Sequence, residues 1–134
     1  MPANHHFDFP NRIDLNAPPI LVGRAALYYY GIGDRPAETD CVITEADFDR
    51  LAVLYPERGV RKNWNDRSLS FEAVTFLRTI QLFCYNAIKA NFISHENFAV
   101  ISLDRLYSIT SLDFTNPRRE NDMVRILTRM KEPV

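Results

Sequence analysis

Apolar residues fall along this 134-residue chain in short runs, separated by Gly, Pro, Asn and charged residues, and the period of each run assigns an element. Ile20-Leu21-Val22 is a short apolar run closed by Gly23, and Arg24 to Tyr30 continues it, so a strand, a glycine turn and a helix are expected in that order. Gly31, Gly33 and Pro36 then break the helix into a loop. Thr39 to Ile43 is apolar and β-branched, which predicts a strand. Thr44 is a good N-cap for a helix over 45–54, with Glu45 and Asp47 in its first turn and Phe48, Leu51 and Leu54 along one side.

The second half is read in the same way. Residues 56–67 are charged and irregular, with Trp64 as their large apolar anchor. Ser68 to Phe76 alternates as one strand would, with Leu69, Phe71 and Ala73 on one face and Ser70, Glu72 and Val74 on the other. Leu82 to Ala90 is expected as helix and Phe98 to Ile101 as a short strand. Ser102 caps a helix carrying Leu103, Leu106, Tyr107 and Ile109. Asn116-Pro117 opens the last helix, whose Met123, Ile126, Leu127 and Met130 follow a core-facing spacing. The order predicts an α/β domain, a small mixed sheet flanked by helices with C-terminal helices after it. Residues 1–19, with Phe7, Phe9, Ile13 and Leu15, form an irregular N-terminal arm, and 20–134 a single domain.

Bulk composition narrows the function classes. A hydrophobic fraction of 46% with 25% charged is ordinary for a folded domain. Sixteen basic residues against seventeen acidic leave a net charge of −1, without the global basic field of a nucleic-acid-binding domain. No apolar run approaches the roughly 20 residues that span a bilayer. The N-terminus lacks a basic segment followed by an apolar one, so no secretory signal is expected and the cytoplasm is the expected compartment. Cys41 and Cys84 sit singly in apolar settings, as reduced packing residues do.

The candidate chemistry lies between the first two strands. Glu38 and Asp40 are two residues apart, which places them on one face of a strand, in front of the Gly23 turn. Paired acids facing a strand-to-helix turn suit a divalent cation and a phosphate held together.

These segments resemble the nucleotidyltransferase superfamily, the fold of DNA polymerase β, and within it the minimal and AbiEii-toxin-like members. Val22-Gly23-Arg24 matches the family's hydrophobic-glycine turn. Glu38-Thr39-Asp40-Cys41, after residues 25–37, matches its acid-x-acid strand, and Phe71-Glu72-Ala73 its third acid between hydrophobic residues. Ala25-Ala26-Leu27-Tyr28-Tyr29-Tyr30-Gly31 looks like its alanine-rich helix. Arg35 precedes the acids as a basic residue often does, and residues 100–106 look like the opening of its C-terminal helices. The resemblance implies a mixed sheet of the nucleotidyltransferase type. It also implies a nucleoside triphosphate bound with Mg²⁺. Glu38, Asp40 and Glu72 would be catalytic and metal-ligating; Gly23, Arg24 and Arg35 would bind the nucleotide. The reaction implied is transfer of a nucleoside monophosphate to a protein side chain, an RNA end or a small molecule, with a second copy or a protein partner completing the cleft.

Several positions depart from the family's pattern. Arg24 stands where glycine or serine is usual, Glu38 replaces the commoner aspartate, Thr110 replaces a lysine and Arg125 a late aspartate. Arg24, Thr110 and Arg125 motivate a second expectation, a catalytically inactive copy of the fold used for binding or assembly. A third is an unrelated α/β interaction protein. Other candidates have plainer readings beside them. Arg24 can pair with Asp34 or Glu38 as well as with phosphate. Tyr28, Tyr29 and Tyr30 cannot share one helix face, so at least one is core, and one can line a cleft as a stacking platform. Arg58, Arg61, Lys62 and Arg67 form a basic cluster diluted by Glu57 and Asp66, read as a solvated loop. His5-His6 with Asp8, and His95-Glu96, lack the ligands that a zinc site needs.

Overall fold

The computed structural model of this chain describes residues 7, 9–10, 13–61 and 66–132, with Arg61 described by its backbone alone. The elements begin with β1 (Ile20–Leu21), α1 (Gly23–Tyr29), β2 (Thr39–Val42), α2 (Glu45–Leu54), a 3-10 turn (Pro56–Arg58) and β3 (Gly59–Arg61). β4 (Arg67–Phe71), β5 (Val74–Leu77), β6 (Thr79–Ile80), β7 (Phe83–Cys84) and the short α3 (Tyr85–Ile88) follow. The chain closes through β8 (Ile93–Ser94), β9 (Ala99–Val100), α4 (Leu103–Ser111) and α5 (Arg119–Lys131).

Among the described residues, seven strands make one mixed sheet in the order β3-β4-β5-β2-β1-β9-β8, and β6 and β7 form a separate small hairpin. β1 is antiparallel to β2 and parallel to β9, while β2 runs parallel to β5. The protein is therefore α/β with a mixed sheet and C-terminal helices, as its element order predicts. Ile20, Leu21 and Val22 are all wholly buried, which explains the unbroken apolar run: a central strand covered on both faces has no polar side to show. α1 buries Ala25, Ala26, Leu27 and Tyr29, and α4 packs against both α1 and α5.

Local signals placed several elements correctly. The Thr44 hydroxyl accepts from the Asp47 N–H at 3.1 Å, and α2 spans the expected residues. The Ser102 hydroxyl accepts from the Arg105 N–H at 3.2 Å at the start of α4. Tyr29 and Tyr30 are core and Tyr28 is half-buried. Cys41 is buried and Cys84 half-buried, both as free thiols. The described part of the arm lies on the domain: Phe7 is buried, and Phe9, Ile13, Leu15 and Ala17 pack against the core. No helix among the described residues is long and apolar enough to cross a membrane.

Several expectations change. The single strand over 68–76 is a hairpin, β4 and β5, turning at Glu72-Ala73 with Phe71 opposite Val74. Glu72 takes φ 53° there, a conformation usually left to glycine, so nothing in the residue types announces the turn. The helix expected over 82–90 is the β6–β7 hairpin followed by the short α3. Its turn residues Gln81 and Leu82 have φ 47° and 70°, and the buried Asp66 carboxylate holds them by accepting from both backbone N–H groups and from the Thr79 hydroxyl. The irregular stretch after Pro56 contains β3, paired antiparallel with β4. β8 was not expected, and β9 is shorter than the strand read over 98–101.

The last helix starts at Arg119, with Asn116-Pro117 in the turn before it, where the Asn116 side-chain oxygen accepts from the Arg118 N–H at 2.9 Å. Its apolar stripe is only partly covered. Ile126 is fully buried, but Leu127 and Met130 are 36% and 42% exposed, and the buried face carries Asp122 instead. Trp64, Lys62, His5, His6 and Asp8 lie outside the described residues.

Candidate functional site

The junction of β1 and α1 faces the start of β2 across a backbone hydrogen bond, the Val22 N–H donating to the Asp40 carbonyl at 3.1 Å. Gly23 turns the chain there with φ +60°. A Cβ at Gly23 would meet only an Asp40 carboxylate oxygen at 3.9 Å, so the glycine is needed for its backbone angle and not for space. Gly23, Arg24 and Asp40 thus come together, on one wall of a cleft of about 330 Å³. The opposite walls are the β6–β7 turn, through Gln81, and the C-terminal helices, through Thr110, Asp113, Asn116 and Asp122.

Arg24 does not pair with Asp34 or Glu38 through its guanidinium ends. They grip Asp122 in a two-pronged contact, at 3.2 Å to one carboxylate oxygen and 2.7 Å to the other. Asn116 completes the arrangement, its side-chain amide donating to Asp122 at 3.2 Å and its oxygen accepting from Arg24 at 3.5 Å. The Asp122 side chain is 3% exposed and that of Arg24 35%, so this is a nearly buried carboxylate neutralised by a half-open guanidinium. The ion pair stitches the turn that follows β1 to α5.

The remaining acids are placed differently. In the parallel pairing of β2 with β5, Asp40 stands opposite Thr75, and the buried Thr75 hydroxyl donates to the Glu38 carboxylate at 3.2 Å. Thr75 thus stands beside Asp40 in the sheet and holds Glu38 by its hydroxyl, but Glu38 does not line the cleft. Glu72 is not on that strand; it is exposed at the β4–β5 turn. Among the described residues no three His, Cys, Asp or Glu side chains are grouped closely enough to hold a metal ion.

Arg35 belongs to a different hollow, behind Arg24, where its guanidinium lies over the rings of Tyr28 and Phe7 at 5.0 and 5.2 Å. That occupies the Tyr28 ring as a platform for a cation. Of the basic cluster, Arg58 lies over Phe71 and Arg67 over Phe48, so both serve packing. His95 is stacked on Phe98 and shares a 2.8 Å hydrogen bond with the Tyr29 hydroxyl. Burial raises the Cys41 thiol well above its usual range, with Asp40 adding to the effect, and burial raises the Tyr30 phenol likewise.

Asp122, Asn116 and Thr75 were missed as site residues. One signal for Asp122 was present: an acid four residues before Ile126 interrupts the apolar stripe of α5, and a carboxylate on a buried face needs a cation. Comparison with family models, with curated proteins and with solved structures gives no match to this chain.

Proposed function

We propose that this chain is a nucleotidyltransferase-like protein that acts as a binding or assembly module and does not transfer nucleotidyl groups. The observation that carries this is the grip of Arg24 on Asp122. In a transferase the turn after Gly23 would present backbone N–H groups to the nucleotide's phosphates. Here the next residue is a long cation drawn across to α5, which ties that turn to the C-terminal helix. The acid arrangement supports the same reading. Two-metal transfer needs carboxylates bridging ions about 3.5–4 Å apart. Thr75 faces Asp40 where a neighbouring acid would be useful, and Glu72 sits out on a hairpin turn.

Thermal-shift and calorimetric titrations with ATP, GTP, CTP and UTP, each with and without Mg²⁺, test this beside an assay for pyrophosphate release. The expected result is no Mg²⁺-dependent release with any of the four. Release that disappears in Asp40→Asn would overturn it.

A second reading keeps the nucleotide. The placement of Asp40 beside the Gly23 turn, in one cleft, favours one Mg²⁺ held with a nucleoside triphosphate, with a protein side chain or an RNA end as acceptor if transfer occurs. It requires a Mg²⁺-dependent rise in melting temperature with at least one nucleotide, lost in Asp40→Asn.

A further inference from the structure

The face of α5 turned toward the domain holds Asp122 and Ile126, both buried. The opposite face is apolar at its centre. At 3.6 residues per turn, Glu120, Val124, Leu127 and Lys131 fall within about 60° of one another, and Asp122 and Ile126 lie about 130–170° from the midline of that stripe. Val124 is 62% exposed and Leu127 36%, where the outer side of a surface helix is ordinarily polar. Met130, 42% exposed, stands at the edge of the stripe and widens it. The spacings of four, three and four along it are those of the seam by which one helix packs against another.

The stripe is also symmetric about its own midpoint, which lies between Arg125 and Ile126. Val124 and Leu127 are equally distant from that point, and so are Glu120 and Lys131. A second α5 turned end for end therefore brings its Leu127 against Val124 and its Lys131 against Glu120, and a two-fold axis repeats both contacts. Parallel alignment would instead set Glu120 against Glu120 and Lys131 against Lys131, a like-charge arrangement. Among the described residues neither Glu120 nor Lys131 is engaged in an ion pair. A net charge of −1 leaves two copies little overall repulsion to overcome.

We propose that a second copy of this chain covers this face, in an antiparallel α5–α5 dimer. A helix of another protein fits less specifically, because complementarity about a single midpoint is a requirement only of a two-fold interface. The apolar pairs and the flanking Met130 make a small contact, so the dimer is weak and reversible. The Glu120–Lys131 pairs at its ends set direction and register more than strength. The inference stands apart from the reading of the Asp40 cleft, since none of Glu120, Val124, Leu127 and Lys131 lines it. Pyrophosphate release reports on the cleft, and association state on this face.

The test is sedimentation velocity of the full chain at low salt, over a concentration series that reaches the millimolar range. A reversible monomer–dimer equilibrium is expected for the wild type. Glu120→Lys alone and Lys131→Glu alone each bring like charges together at both ends, and each should weaken dimerisation by about tenfold. Mixed one to one, the two variants should recover the wild-type affinity, because each then meets its opposite charge in the other. Val124→Glu should abolish association. All three positions are exposed, so the dilute variants should keep the wild-type melting temperature, and recovery in the mixture shows that both charge variants are folded. A chain that stays monomeric throughout the series overturns the dimer. Association indifferent to Val124→Glu and to both charge reversals puts the interface elsewhere and overturns it as well. Charge variants that remain weak when mixed overturn the antiparallel pairing.

Discussion

Arg24 and Asp122, 98 positions apart, meet in a two-pronged ion pair in which the carboxylate is almost wholly buried and the guanidinium one-third exposed. Removing the cation leaves Asp122 charged inside the fold with Asn116 as its remaining side-chain donor. Arg24→Ala should therefore cost about 3 kcal/mol, the low end for breaking a buried pair because Arg24 itself is partly solvated. Urea denaturation reads this directly. In a double-mutant cycle, Arg24→Ala/Asp122→Ala should be less destabilised than the sum of its singles. Additive losses would show that the pair is not coupled.

Asp47 sits in the first turn of α2 and is fully buried. Its carboxylate accepts from the Asn16 N–H at 2.9 Å, from the Ala17 N–H at 3.4 Å and from Arg50 at 3.1 Å, which fastens the arm to the domain. Asp47→Ala should cost about 2 kcal/mol through the unsatisfied groups it leaves. It should also open the 13–19 segment to limited proteolysis before the rest of the chain unfolds. Equal resistance in the variant and the wild type would remove the fastening role.

Gly23 and Glu72 form a mirrored pair. Both have positive φ, +60° and 53°, but only one is glycine. Gly23→Ala should lose about 1–2 kcal/mol through backbone strain, since the nearest atom to an added Cβ is an ordinary contact away. Glu72→Gly should gain up to about 1 kcal/mol by relieving the same strain at the β4–β5 turn. Equilibrium unfolding of both variants checks the two signs together.

Alkaline pH should destabilise the fold. Burial raises the Cys41 thiol above its ordinary 9.0 and the phenols of Tyr29, Tyr30 and Tyr85 above 10.0. Each group is therefore held neutral by folding. Its contribution is complete below its unfolded pKa and is lost as pH rises through the higher folded value. Melting temperature should fall progressively above about pH 9, with phenolate absorbance for these three tyrosines appearing at higher pH than for an ordinary phenol. Under native conditions at pH 8, Cys84 should alkylate before the buried Cys41, and both should react after denaturation.

How far the fold was legible depends on where each signal resides. Thr44, Ser102 and Gly23 act within a few residues of themselves, and each marked the element boundary that it forms. The 68–76 run failed because apolar residues continue on both sides of a two-residue turn: Leu69 and Phe71 on β4 and Val74 and Phe76 on β5 are all buried. Glu72 carried none of the usual marks of a turn. The Gln81-Leu82 turn was hidden for a related reason, because the Asp66 carboxylate that holds it lies fifteen residues earlier.

The sequence by itself determined the α/β class, the buried central strand from its unbroken apolar run, the glycine turn beside an acid-x-acid strand, and the capped starts of α2 and α4. Backbone angle preference, side-chain period and capping are short-range properties, and residue types a few positions apart encode them. Only the tertiary structure decided which charges meet. Arg24 had two nearby acids to choose from, both exposed, and took Asp122 on the last helix, because a buried carboxylate gains more from a cation than an exposed one does. That choice divided the region around the turn into two hollows. A partner 98 residues away has no local signature.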